Sequence, residues 1–484
     1  MNDRTMRTGA LMVALLSACV AFQLNASMLS PVLPSIATEL GVDEAAVGLS
    51  QTAFFTSAAL FAVFVPRLSD IKGRRRVLVV TLALVAVGSV LAALAPSIFV
   101  LDVARVIQGC SGSVIAICLL MLRAAVPDAR RYGALMGVVT AVNGGIAGVD
   151  VLLGGFLATH SGFRPVFWLM AVVALGATVL VAWLAPESRP SEQAVMDWRG
   201  VVPLVVAIGC VLVALNEVSK LAAANWVLVV VLGAVALVSF TVFWFVERAT
   251  PHALASPARL RQRSTWALLL TTTLALTGIF ATVNGLVVAF AQNREIGFGL
   301  AADATSLLLL CPYALVGWAV GPFAGRLAPH MGYLRVLRLG LGGSVVALAL
   351  MAAAGLTSLP LLITAVVLLG IAYAGMANIM LNGLAVVLSP QDAQGFLPGA
   401  NCGAFNFGAG LSFAVLPVVQ LAGGRAWSSA PGSYAAAIGC GLVITVAAFA
   451  TSYLIPRPTA AEIPRHRSAG DGLLTATMEG KAYS

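Results

Sequence analysis

The chain has 484 residues, of which 60% are hydrophobic and 10% charged, with a formal net charge of +9 and a mean hydropathy of +0.98. A soluble globular chain carries about 25% charged residues, so a deficit spread over the whole length excludes a water-soluble globular protein and makes lipid the solvent. Seven cysteines stand singly in apolar stretches and four histidines fall in predicted loops or the tail, which offers neither a disulfide framework nor a metal-ligand cluster.

Taken in chain order, Arg4 and Arg7 precede the first apolar run, and LSAC at 16–19 has the form of a lipoprotein cleavage box. The apolar run continues past Cys19 as VAFQLNASML, which predicts an uncleaved first span. A membrane helix needs roughly 20 predominantly apolar residues. That ruler places spans over 10–34, 46–65, 77–95, 99–122, 132–158, 163–184, 201–216, 223–246, 265–290, 304–325, 333–356, 359–387, 396–421 and 432–455. The expected fold is therefore an all-α integral membrane protein with fourteen transmembrane helices.

An even number of spans puts both termini on one face, and the Lys/Arg bias says which. With the N-terminus inside, 23 of the 28 cationic residues fall in inner segments, and Arg105 lies within span 4. The outer loops hold only Arg164, Lys220, Arg294 and Arg425. Both termini are expected to be cytoplasmic in a multi-pass plasma-membrane protein. The basic excess then anchors the chain to the lipid bilayer and marks no nucleic-acid surface. The two longest inner connectors, 185–200 and 247–264, bracket spans 7 and 8. The expected organisation is a six-helix half over 1–187, two inserted helices with flanking connectors over 188–262, a second six-helix half over 263–455, and a disordered tail over 456–484.

Few spans carry a charge, so the exceptions stand out. Asp150 interrupts AGVDVLLGGFLA (147–158) in span 5. Counting helical rise, it lies about 12 Å from the outer end of its span, and Arg105 in span 4 lies about 9 Å from the outer end of its own. Three readings follow for Asp150: a fixed ion pair with Arg105, a titrating proton or substrate site, or a residue facing a water-filled vestibule. Asp102, three residues before Arg105, is a rival partner. Spans 9–10 and 12–14 carry no charge in their interiors, and their polar content is neutral: Thr271, Thr272, Thr273, Asn284, Tyr313, Asn378, Asn382, Asn401 and Asn406. Such amides are expensive against lipid, so they either line a neutral cavity or bond between helices.

Several local patterns resemble the major facilitator superfamily, in particular its 14-span drug:proton antiporter branch. PRLSDIKGRRRVL (66–78) is similar to the superfamily's G-x-L-x-D-R-x-G-R-R loop, with Leu68, Asp70, Gly73, Arg74 and Arg75 in place, Pro66 for the leading glycine and Ile71 for the first arginine. GPFAGRLAPHMG (321–332) is a degenerate echo of it, as a duplicated half predicts. LDVARVIQG (101–109) resembles a second pattern through Arg105, Gln108 and Gly109, and DWRG (197–200) a third. Two departures accompany these matches. Asn25, in LNASMLSPVLP (24–34), stands where the branch has a carboxylate, and Asp150 with Val151 replaces the Gly-Pro that precedes Gly154 and Gly155.

The resemblance implies a secondary transporter working by alternating access, most simply a proton-coupled exporter of amphipathic organic compounds or drugs. It implies an inner gate at Asp70, Gly73, Arg74 and Arg75, while the residues themselves offer a proton-coupling or charge pair at Asp150 and Arg105 and a candidate substrate cavity among Asn25, Gln108, Asn284, Tyr313, Asn378, Asn382, Asn401 and Asn406. The alternative is a carrier of one small metabolite, importer or uniporter, because Asn25 cannot titrate; a lipid flippase or a non-transporting sensor is a more distant reading. The chain offers no nucleophile–base pair, metal set or nucleotide loop, so neither an enzyme nor a cofactor is expected. The expected partners are a small-molecule substrate, a proton and lipid, with the protein a monomer.

Overall fold

The computed structural model describes residues 3–126, 128–188, 198–219, 224–249, 257–389, 396–426 and 430–458. The expected tail beyond 458, Asp197 of DWRG and parts of the 188–262 connectors lie outside the described residues. Among the described residues all regular structure is helical. Within hydrocarbon every backbone polar group must be satisfied inside its own segment, so apolar runs of this length have one solution.

Thirteen helices are long and apolar enough to cross a membrane, and a shorter apolar stretch, Gly145–Ser161, completes the set. In chain order they are α1 (Thr8–Leu40), α2 (Glu44–Lys72), α3 (Arg74–Ala93), α4 (Ile98–Ala125), α5 (Ala129–Ser161), α6 (Arg164–Leu184) and α7 (Trp198–Leu215). There follow α8 (Trp226–Ala249), α9 (Arg263–Gln292), α10 (Ala302–Ala328), α11 (Tyr333–Gly355), α12 (Leu359–Val387), α13 (Phe396–Gly423) and α14 (Pro431–Leu454). Asp43 caps α2 by accepting the Ala46 N–H at 2.8 Å, and Asp128 caps α5 by accepting that of Arg131 at 2.7 Å. Both caps fall in connectors, where water meets the exposed amides of a helix start.

The first helix is not one rod. Its regular part ends at Ser27, a short 3-10 turn covers Ser30–Val32, and a second helix runs Leu33–Leu40. Pro31 and Pro34 lack the N–H that a continuous helix needs, which accounts for the break. The duplication shows in backbone geometry. Gly73 after α2 (φ 95°, ψ 131°) and Gly332 after α10 (φ 89°, ψ 136°) adopt the same left-handed φ, which a residue without Cβ reaches freely.

Helices α1–α6 pack among themselves, with α1 against α5 and α6 and α3 against α6; α9 lies against α13 and α14, and α12 against α10 and α11. The two sets meet along α2–α13 and α5–α10. Helices α7 and α8 pack on each other, and α7 leans on α2. Val227 on α8 is 74% exposed, and Val230, Leu237 and Phe245 are exposed beside it, an apolar surface suited to lipid.

Hydrogen bonds join the two sets at the face opposite the Asp70 turn. Ser30 Oγ donates to Asn284 Oδ1 at 3.0 Å, and Gln292 Nε2 donates to the Pro31 carbonyl at 2.9 Å. The Tyr434 hydroxyl reaches both oxygens of Glu44 at 3.0 and 2.9 Å, and Thr159 Oγ1 donates to Asp303 Oδ1 at 3.2 Å. Close approach of α5 and α10 depends on missing side chains: a Cβ on Gly155 would strike Ser306 Oγ and the Ala302 carbonyl. This conformation is closed at the far face. A cleft of about 430 Å³ between α10 and α12, lined by Phe323, Arg326, Leu327, His330 and Met376, lies toward the Asp70 face.

Candidate functional site

Arg105 and Asp150 lie at similar depth, yet no ion pair joins them. Arg105 is fully buried on α4, and its guanidinium is held by neutral acceptors. Nη1 donates to Gln108 Oε1 at 2.8 Å, while Nη2 donates to Gln51 Oε1 at 2.5 Å and to the Asn25 carbonyl at 3.3 Å. The Phe54 ring covers it, with Cζ 4.1 Å from the centroid. Gln108 is fixed in turn by donating to Ser89 Oγ at 2.9 Å. Asp102, the rival partner, lies one turn earlier on the same helix. The expected pairing with Asp150 is therefore corrected: depth along a helix was legible, but the direction in which α4 turns Arg105, toward α1 and α2, was not.

Asp150 is 3% exposed and accepts a 2.6 Å hydrogen bond at Oδ2 from Ser27 Oγ, where the regular part of α1 ends. Gln23 Nε2 donates to the same hydroxyl at 2.7 Å. The other carboxyl oxygen of Asp150 is buried with no partner. Ser27 itself is only partly buried.

Asn25 is fully buried, donates to the Ala21 carbonyl at 2.8 Å and leaves Oδ1 unpartnered. Asn284 sits in a wide π-helical turn, Thr282–Leu286, and serves the far-face contact with Ser30. Asn378, Asn382 and Asn401 form a hydrogen-bonded chain in which Asn382 stays exposed. Thr272 Oγ1 donates to Asn401 Oδ1 at 2.7 Å, Asn401 Nδ2 to Asn382 Oδ1 at 3.1 Å, and Asn382 Nδ2 to the Asn378 carbonyl at 3.0 Å. Asn401 lies about 8 Å along α13 from its start, so this chain clamps α9, α12 and α13 near the Asp70 face. Asn406 donates to the Cys402 carbonyl at 3.0 Å and keeps a buried, unpartnered Oδ1. Tyr313 is half-buried on α10, opposite the π-helical stretch Gly370–Ala377 of α12.

The Asp70 loop is a staple. Arg74 grips Asp70 Oδ1 through Nη2 at 2.9 Å and Nε at 3.0 Å, and donates to the Leu120 carbonyl of α4 at 2.9 Å. Arg75 bonds the Ala182 carbonyl of α6, and its amide donates to Glu187 at 3.2 Å. The loop thereby ties α2, α3, α4 and α6 at one end.

Sequence reasoning missed Ser27, Gln51 and an aromatic cluster at the junction of the two sets. Phe280 of α9 meets Phe55 of α2 edge-on at 5.0 Å, Phe413 of α13 at 6.0 Å and Phe405 of α13 at 6.1 Å. Phe55 and Phe413 are buried, at 1% and 2% exposure, whereas Phe280 and Phe405 are only half-buried. Single phenylalanines in apolar runs give no signal of such a meeting. Ser27, two residues after Asn25, had the faint signal of a hydroxyl beside a proline-broken helix end.

The family model described as Major Facilitator Superfamily matches residues 15–417. A uridine/deoxyuridine transporter of Lactococcus lactis subsp. cremoris is 45% identical over 452 residues, 92% of this chain and 94% of that protein. The multidrug resistance protein Stp of Mycobacterium tuberculosis is 26% identical over 412 residues, 84% of this chain and 74% of that protein. Among solved structures, the nucleoside transporter NupG aligns with 92% of this chain and all of its own at TM-score 0.61 and 14% identity, a likeness of fold. These findings overturn the expectation of proton-coupled drug export, since the near relative is named for a defined metabolite and the multidrug protein is far more distant. The superfamily part of the resemblance stands, and it is a family of transporters, not of enzymes: the chain is a multi-pass membrane protein that belongs to the Major Facilitator Superfamily.

Proposed function

We propose that the protein carries pyrimidine nucleosides across the plasma membrane by alternating access, as a specific importer. The observation that carries this reading is 45% identity, over nearly the full length of both chains, to a uridine/deoxyuridine transporter. The interior supports it. Neutral amides within the second set and aromatic rings at the junction of the two sets suit an uncharged, aromatic, polyhydroxylated solute better than an ion. A nucleoside-uptake-deficient bacterium expressing the chain is expected to accumulate labelled uridine, with excess deoxyuridine competing and ribose not competing. No uptake above the empty-vector control, with the protein present in the membrane, overturns the reading.

In this proposal the halves 1–187 and 263–455 of a monomer rock about the substrate, and the conformation described is inward-facing. Its far face, closed by Ser30–Asn284 and Glu44–Tyr434, is then the outer one. The cationic bias supports this orientation. A periplasm-active reporter fused after residue 470 is expected to stay silent, and an active fusion reverses the assignment.

Proton coupling, in the same proposal, rests on Asp150. It is a buried carboxyl whose side-chain partner is a hydroxyl, and a membrane carboxyl of that kind can load and unload a proton. Asp150→Asn keeps an acceptor for Ser27 but cannot titrate. The variant is expected to exchange uridine at near wild-type rate while losing protonophore-sensitive accumulation. Undiminished accumulation assigns the proton to another group.

A further inference from the structure

We infer that Phe280 and Phe405 form the stacking surface that selects the planar base of the nucleoside, an inference that rests on the reading above. Helix α9 is the most enclosed of the spanning helices, with 83% of its apolar window buried. A half-exposed ring on it that also touches α2 of the opposite half faces the interior, not the lipid. Phe280 and Phe405 meet edge-to-face, at 6.1 Å and 74°, so each presents a ring edge or face that the other does not cover. Behind them Phe55 and Phe413, parallel to within 6°, are buried and hold Phe280 from two sides. The half-exposed pair is thus backed by rigid rings, which keeps the ordering cost of binding low.

A pyrimidine base offers a flat face for stacking. Stacking on a side-chain ring favours a planar, conjugated base, and by alanine substitution it is worth an amount that corresponds to roughly 5- to 150-fold in affinity per base. The ring pair therefore suits a flat heterocycle, and a free sugar has no such face to offer.

The test separates planarity from hydrogen bonding. Uridine and 5,6-dihydrouridine share the sugar, the N3–H and both carbonyls, but saturation of the 5,6 bond puckers the ring. Wild-type protein is expected to prefer uridine on the order of tenfold in kcat/KM, within the span that base stacking allows. Phe280→Leu and Phe405→Leu are each expected to bring that ratio close to one, while Phe280→Tyr keeps it. The ratio is internal to each variant, so a loss of expressed protein does not distort it, and either leucine variant suffices if the other fails to insert. An unchanged ratio in the leucine variants, or equal use of both nucleosides by the wild type, overturns the stacking assignment while leaving nucleoside transport standing. Failure of the wild type to take up uridine at all overturns the nucleoside reading itself.

Discussion

Gly155→Leu is expected to abolish net uptake while the protein still inserts and folds. Helices α5 and α10 meet where a Cβ on Gly155 would strike the Ala302 carbonyl and Ser306 Oγ, and a backbone carbonyl cannot turn aside. Overpacking of a fitted contact costs about 1–3 kcal/mol. In the alternating-access cycle proposed above, that cost falls on the state closed at the far face, because opening this face parts the contact. The equilibrium between the two states therefore shifts by about 5- to 150-fold toward the other conformation. Ser30, 2% exposed here, reports the shift. In the Gly155→Leu background a Ser30→Cys thiol is expected to react with a membrane-impermeant maleimide added outside, faster than in the Ser30→Cys protein alone. Equal labelling together with normal uptake shows that α5 and α10 do not need this contact.

The second large effect concerns the two charges buried in the amino-terminal half. Arg105→Gln removes hydrogen bonds from a charged donor to Gln108, Gln51 and the Asn25 carbonyl, each of a kind worth about 1.5–3 kcal/mol. A severe loss of folded protein is expected. Asp150→Asn retains an acceptor for Ser27 and is expected to cost about 1 kcal/mol or less. Since the two residues share no partner, the double variant is expected to be additive within about 0.5 kcal/mol. A fixed ion pair predicts the opposite. Neutralising one member of a buried pair costs about 3–5 kcal/mol, and neutralising the second recovers much of it. Apparent unfolding free energies in detergent for the two single variants and the double variant decide the matter, and recovery in the double variant restores the ion pair.

The duplicated turns around Gly73 and Gly332 were legible because a left-handed φ after a helix selects glycine, and the echo of one loop in the other marked the place. Asp150 and Arg105 were legible as exceptions, since a charge in an apolar run is rare enough to notice. Their partners were not. Ser27 and Gln51 are ordinary polar residues whose significance lies in which helix face meets which, and depth counted along a helix says nothing about rotation around it. The same holds for Asn382 and Asn401, 19 residues apart in the chain and 3.1 Å apart across a helix interface. The drug-export expectation failed for a related reason. The loop and turn patterns it leaned on belong to the scaffold, whereas substrate choice belongs to side chains lining the interior.

Sequence by itself determined that this chain lives in lipid, how many times it crosses and which residues are chemically exceptional. Those properties follow from local free energies: hydrophobic runs long enough to span and charges that are costly inside them. Only the tertiary structure decided that Asp150 bonds to Ser27 and not to Arg105, that three of the candidate asparagines are a clamp, and that four phenylalanines from α2, α9 and α13 converge at the junction of the halves. Lipid supplies little hydrophobic drive to choose between helix faces, so the pairing of faces is set by close packing and interhelical hydrogen bonds among residues distant in the chain.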